Sequence, residues 1–265
     1  VVWYYLHENL QSLMPNIKLI NRAPLEDGLS GYYDALDYAK DGFSNLFLQS
    51  SLRPKKDLSD IEKAALYRNF TLVPGECDFN KLNGFYQILK QCPEGDVVEI
   101  GSLWGRSAFV LSSLAQRWEI GHVLCIDPWS TDFKEDSDEV NDSYRAYHKI
   151  SDAFLFFQIN LSVFRGHVNF IHGSADDAVK EYKKGLILAN DVMGSVAYQG
   201  DIAVLHIDGN HTYPCVKSDI DKWASKVVPG GWIVIDDYVW CFGDGPQRAA
   251  DEYLEKNINL LESAF

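Results

Sequence analysis

Asp96-Val-Val-Glu-Ile-Gly101-Ser-Leu-Trp-Gly105-Arg-Ser107 is a short apolar run that ends in glycine, turns, and opens a helical pattern. Such a run marks a strand buried on both faces. The helix that follows carries Ala108, Leu111, Leu114, Ala115 and Trp118 on one face. A second apolar run, His122-Val-Leu-Cys-Ile-Asp127, comes next. The same rhythm returns downstream. Val168–His172, Ile202–Asp208 and Gly231–Asp236 read as strands, and 175–184, 213–227 and 246–257 as helices. Pro214 suits the first turn of the 213–227 helix. Strands alternating with helices predict an α/β fold with a doubly wound, mostly parallel sheet and helices on both faces.

Around this frame lie less regular segments. Residues 1–75 show turn signals at Pro15, Pro24, Gly28, Gly31 and Pro54, and a helical stretch near Asp60–Tyr67. They read as an N-terminal helical extension or cap, leaving 76–265 as the main domain. Residues 78–90 place Leu82, Phe85, Ile88 and Leu89 at helical spacing, and a long aromatic helix is expected over 143–164. The acidic stretch Thr131–Asp142 reads as a mobile loop, with a lid over the site as the sharper alternative. Residues 186–200 break the rhythm and read as an insertion.

The 265 residues carry 38 acidic against 24 basic side chains, a net charge of −14. Such a surface repels phosphate backbones and acidic lipid, so neither nucleic acid nor membrane is an expected partner. No run approaches the ~18 apolar residues a membrane span needs. The five cysteines are odd in number and form no CxxC, so free thiols and a cytoplasmic location are expected. The chain begins at Val1 without an initiator Met and reads as a segment of a longer protein. A homo-oligomer is also expected, the aromatic helix being one candidate interface.

In an open α/β sheet, ligands bind beyond the carboxyl ends of the strands where strand order reverses. The polar residues there are Glu99, Gly101 and Ser102, then Asp127, then Gly173, Ser174, Asp176 and Asp177. Asp208, Asn210 and His211 follow, and finally Asp236 and Asp237. Gly101 and Gly105 permit a tight turn and close ligand approach. A dinucleotide site would favour GxGxxG, and Leu103 stands where the second glycine belongs. Glu99 suits a sulfonium or ammonium better than a phosphate. Asp127 is placed to accept from ribose hydroxyls, or else to cap a turn before Pro128.

These stretches resemble the class I S-adenosylmethionine-dependent methyltransferases with a Rossmann-like sheet. The resemblance is greatest to metal-dependent small-molecule O-methyltransferases of antibiotic and sugar tailoring, including the macrolide-sugar, aminocoumarin and cephalosporin-hydroxylase-like groups. It rests on Val97–Ser107, Val123–Trp129, Leu205-His-Ile-Asp-Gly-Asn-His-Thr-Tyr213 and Val228-Pro-Gly-Gly-Trp-Ile-Val-Ile-Asp-Asp-Tyr238, and spans about 78–260. It implies that Glu99, Gly101, Ser102, Gly105, Ser107 and Asp127 contact S-adenosylmethionine, with Ser174 and Asp176 flanking its adenine. It further implies that Asp208, Asp236 and Asp237 bind a divalent metal, and that His211 lies beside the acceptor. Many relatives read Asp-Gly-Asp-His where this chain has Asp208-Gly-Asn210-His211. Asn210 cannot take a proton, which leaves His211 as the candidate base, with Asp208 beside it in the catalytic set.

Converging carboxylates need a cation or protons between them. Three oxygen ligands without cysteine suit Mg²⁺ first, then Mn²⁺ or Ca²⁺. The expected reaction is metal-assisted methyl transfer to a hydroxyl of a small molecule, a sugar or natural product, with a histidine near its ordinary pKa of about 6.5 accepting the proton. Three rivals stand beside it: a nicotinamide-dependent dehydrogenase, a catechol-type methyltransferase, and a non-catalytic module that only binds S-adenosylmethionine.

Overall fold

A computed structural model describes residues 30–43, 52–130, 150–239 and 241–261. Two helices come first, α1 (Ser30–Asp41) and α2 (Asp60–Phe70), followed by α3 (Phe79–Lys90). Then come β1 (Asp96–Ile100), α4 (Arg106–Arg117), β2 (Val123–Asp127), α5 (Ile150–Leu161), β3 (Val168–His172) and α6 (Ala175–Glu181). The chain continues through β4 (Ile187–Asn190), β5 (Gly194–Ala197), β6 (Ile202–Ile207), α7 (Tyr213–Trp223), β7 (Val227–Ile235) and α8 (Gly245–Asn257).

The five long strands form one parallel sheet in the order β3-β2-β1-β6-β7. Strand order therefore reverses between β1 and β6. Register then fixes what meets at the sheet's carboxyl edge. Ile100 of β1 pairs with Ile126 and with Ile207, and Ile207 pairs with Ile235. One residue further on, Asp127, Gly101, Asp208 and Asp236 therefore stand in a row at four adjacent tips.

The pleat sends alternate residues to opposite faces. Val97, Val123, Cys125, Val204 and Val234 join one core with Phe85, Leu89, Leu111, Leu114, Phe157 and Leu161 of α3, α4 and α5. Val98, Ile100, Leu124, Ile126, Leu205, Ile207 and Ile235 join the other with Val216, Ile220, Trp223 and Ala250 of α7 and α8. Each fully buried aliphatic chain contributes about 1.5–3 kcal/mol, so the two cores hold the tips rigidly in register.

The expected α/β fold is present, with strand bounds close to those read from the sequence except at β7, which begins at Val227 rather than Gly231, the preceding helix ending at Trp223 rather than at 227. The insertion at 186–200 is an antiparallel hairpin of β4 and β5. Its turn is held by Asn190 Oδ1, which accepts from the Val192 and Met193 amides. Four-residue strands are too short for alternation to show. The 131–142 loop and residues 143–149 of the expected aromatic helix lie outside the described residues. In the N-terminal region, α2 opens with a reciprocal capping box between Ser59 and Glu62. No helix among the described residues is long and apolar enough to cross a membrane.

Candidate active site

A cleft of about 820 Å³ opens along the carboxyl edge of the sheet. Its walls include Ser102, Ser107, Asp127, Asp208, His211 and Asp236. The β1–α4 turn forms its floor. Gly101 is left-handed at φ 86°, and a Cβ there would lie 1.9 Å from the Asp208 carbonyl oxygen. Only glycine lets the tips of β1 and β6 come this close. Asp127 Oδ2 accepts from the Ser102 and Leu103 amides, each at 2.9 Å. Its Oδ1 accepts from the Trp129 amide at 2.6 Å, and Trp129 Nε1 donates to the Leu103 carbonyl at 2.7 Å. Asp127 thus clamps the glycine turn to the β2 loop while still lining the cleft. Burial raises its pKa, against the pull of these three amides.

Two residues expected at the cofactor do not line the cleft. Glu99 is 0% exposed. It accepts from Ser102 Oγ at 2.6 Å and pairs with His206 Nδ1 at 3.1 Å. As the fourth residue of a strand buried on both faces, it points behind the turn and braces it. Gly105 begins α4 at φ 87°, and a Cβ there would meet Leu161 Cδ2 at 2.4 Å. Its role is to admit α5 against α4.

Ser174 caps α6 through the Asp177 amide. Asp176 accepts from Ser218 Oγ at 3.0 Å and from Lys222. The Lys222 ammonium holds the Asp176 pKa below the usual range. Both Ser174 and Asp176 lie on the cleft wall, as does Asp219 of α7.

The acids at β6 and β7 divide into two groups. Lys81 Nζ donates to Asp208 Oδ2 at 2.9 Å and to Asp236 Oδ2. Burial would raise Asp236, but the Lys81 charge holds its carboxyl well below the usual range. Burial and repulsion from Asp236 push Asp208 the other way. Lys81 thus stands between the two acids. Behind it stands fully buried His206, edge-on to Phe85, its Nε2 3.8 Å from Asp208 Oδ2. In the second group, His211 Nε2 lies 2.9 Å from Asp237 Oδ2. Asp237 takes a left-handed backbone, φ 51°, which lets consecutive carboxylates serve different partners. Gly245 opens α8 against the His211 carbonyl, where a Cβ would stand 2.0 Å away. Asn210 Oδ1 accepts from the Thr212 amide at 3.0 Å and shapes the same turn.

This arrangement tests the expected metal ligands. Donor atoms of His206, Asp208 and Asp236, and separately of Asp208, His211 and Asp237, approach within 4.8 Å of one another. The three expected carboxylates, however, do not together form one such group. An ammonium fills the gap between Asp208 and Asp236, and Asp237 is turned to an imidazole. The set Asp208, Asp236 and Asp237 therefore does not fit a divalent ion as arranged.

Lys81 is the residue that strand-end reasoning missed, because α3 precedes the sheet. Its signal was faint. A lysine at the third position of a helix opposes the helix dipole, where an acid is favoured, and so implies partners elsewhere.

Asp219 supplies a stability test. Burial and the nearby charge of Asp176 raise its pKa to about 7. Unfolded, an aspartate titrates near ~3.9. Between these values the folded state keeps a proton that the unfolded state releases, so stability falls as pH rises from about 4 to 7. Asp219→Asn should therefore stabilise the protein at pH 8 by on the order of 4 kcal/mol, at ~1.4 kcal/mol per pKa unit, and much less at pH 4. Urea unfolding at the two pH values measures this; equal effects at both would refute it.

The comparisons with known proteins give the chain its family. The model of a family described as "Methyltransferase domain" matches residues 98–238. That match covers more than half of the chain, which belongs to this family of S-adenosylmethionine-dependent methyltransferases. Among solved structures, the chain is similar to the O-methyltransferase NovP, at 17% identity over 69% of this chain and 75% of that one, TM-score 0.49. It is also similar to TomG from Streptomyces achromogenes, an O-methyltransferase of tomaymycin synthesis, at 14% identity over 79% and 81%, TM-score 0.46. The calicheamicin methyltransferase CalS11 aligns at 14% identity over 88% and 86%, TM-score 0.44. None of the curated proteins searched matches the sequence.

Proposed function

We propose that the protein transfers the methyl group of S-adenosylmethionine to a hydroxyl oxygen of a small molecule, a sugar or natural product. The observation that carries this is the His211–Asp237 pair, 2.9 Å apart, at the wall of a cleft whose floor is the glycine turn. A hydroxyl is a weak nucleophile at neutral pH and needs a base beside it. The carbon–sulfur bond of the sulfonium breaks as the carbon–oxygen bond forms. The acceptor's proton passes to the His211 imidazole, and Asp237 steadies the imidazolium. S-adenosylhomocysteine leaves uncharged at sulfur. Asp127 and the turn at 101–107 seat the cofactor, and Ser174 and Asp176 border its adenine. Asp208 belongs to the acceptor end, where it and Asp236 hold Lys81. Holding both reactants in line supplies a large part of the rate.

A second reading places Mg²⁺, or Mn²⁺ or Ca²⁺, on Asp208, Asp236 and Asp237. It draws on two donor groups that share Asp208, His206–Asp208–Asp236 and Asp208–His211–Asp237, each within 4.8 Å, rather than on the three carboxylates alone. It requires the Lys81 ammonium to leave its two partners.

The test is transfer of a labelled methyl group to a panel of a hexose, a sugar nucleotide, catechol and an aliphatic amine. Label on oxygen supports the proposal. Label on the amine alone would overturn it, and label on catechol alone would move the acceptor class to phenols.

A further inference from the structure

We propose that Lys81 is the resident cation of the acceptor site, its ammonium taking the place between Asp208 and Asp236 that a divalent ion would otherwise fill. This rests on the methyl-transfer reading only for the name of the site; the juxtaposition itself stands apart from it.

Three observations carry the inference. First, the ammonium is bonded to both carboxylates, and these come from the tips of two adjacent strands whose register fixes them side by side. Second, Lys81 is anchored at its root. Its amide donates to the Asp78 cap at 2.9 Å, and α3 is buried from Lys81 through Leu89. The side chain reaches the cleft from a fixed helix rather than from a free surface, and it is itself only 8% exposed. Third, Lys81 lines the cleft. An ammonium has three N–H bonds and two are spent on the acids. The third is available to an acceptor oxygen as that oxygen gives its proton to His211.

A metal and this lysine are alternatives on physical grounds. An ion bound by Asp208 and Asp236 would strip a buried ammonium of both partners and set a dication beside it, a costly arrangement. Removing the ammonium should do the reverse and leave two close carboxylates without a cation, which is a seat for a hard divalent ion.

The experiment is a calorimetric titration of Mn²⁺ into wild-type protein, Lys81→Met and Lys81→Arg, with S-adenosylhomocysteine titrated into each. Wild type and Lys81→Arg are expected to take up no stoichiometric Mn²⁺ below about 1 mM. Lys81→Met is expected to bind one Mn²⁺ at least about 10-fold more tightly, since a tenfold change corresponds to only ~1.4 kcal/mol. One tightly bound Mn²⁺ in wild type would overturn the inference, and this arm needs no variant to fold. A Lys81→Met protein that binds S-adenosylhomocysteine yet shows no Mn²⁺ site would overturn it as well. Failure of wild type to bind S-adenosylhomocysteine would strike the methyl-transfer reading instead, while the Mn²⁺ titrations would still decide the cation.

Discussion

Methyl transfer by His211→Ala is expected to fall about 10²–10⁴-fold, the range a positioned general base contributes. The expectation follows from where the strands end. His211 sits four residues past the last residue of β6, and Asp237 two past that of β7, and those strands are neighbours. Their side chains meet at 2.9 Å on the cleft wall. Removing the imidazole leaves the cofactor floor untouched, so S-adenosylhomocysteine affinity should stay within about 2-fold, well under ~1 kcal/mol. Asp237→Asn should lose less than His211→Ala, because it removes the group that steadies the imidazolium and not the proton acceptor. Single-turnover rates separate the two effects. A full rate in His211→Ala would assign the proton to another group.

Gly101→Ala is expected to abolish cofactor binding and to cost several kcal/mol of stability, the scale of a backbone clash in a packed interior. The backbone at 101 is left-handed, which alone strains an alanine. The larger cost is steric. A methyl group 1.9 Å from the Asp208 carbonyl oxygen cannot exist without parting β1 from β6. That separation would also move Asp208 from Lys81 and open the turn whose Ser102 and Leu103 amides bind Asp127. Thermal unfolding with and without S-adenosylhomocysteine checks both parts. An alanine variant with wild-type melting and a normal ligand-induced shift would refute the close approach.

The fold was legible because strand and helix patterns here are long and regular. Runs such as Val97–Ile100 and Ile202–Ile207 are buried on both faces and contain little but aliphatic residues. The β4–β5 hairpin was not legible, since its four-residue strands, Ile-Leu-Ala-Asn and Gly-Ser-Val-Ala, show no polar–apolar alternation in sequence. Of the site, the strand-end rule found Asp127, Asp208, His211, Asp236 and Asp237. It could not tell a carboxylate facing the cleft from one facing the core, and so it placed Glu99 at the ligand when Glu99 braces the turn with His206. Nor could it say how the acids pair. That depended on Lys81, 127 residues before Asp208 in sequence, which no local pattern connects to it.

The cleft at the carboxyl edge of the sheet as the seat of the cofactor is tested most directly by hydrogen exchange with and without S-adenosylhomocysteine. Slowed exchange is expected at residues 101–107, 127–130, 174–176 and 208–211, with β4 and β5 unchanged. Saturating ligand that slows exchange elsewhere and leaves 101–107 and 127–130 as they were would contradict it.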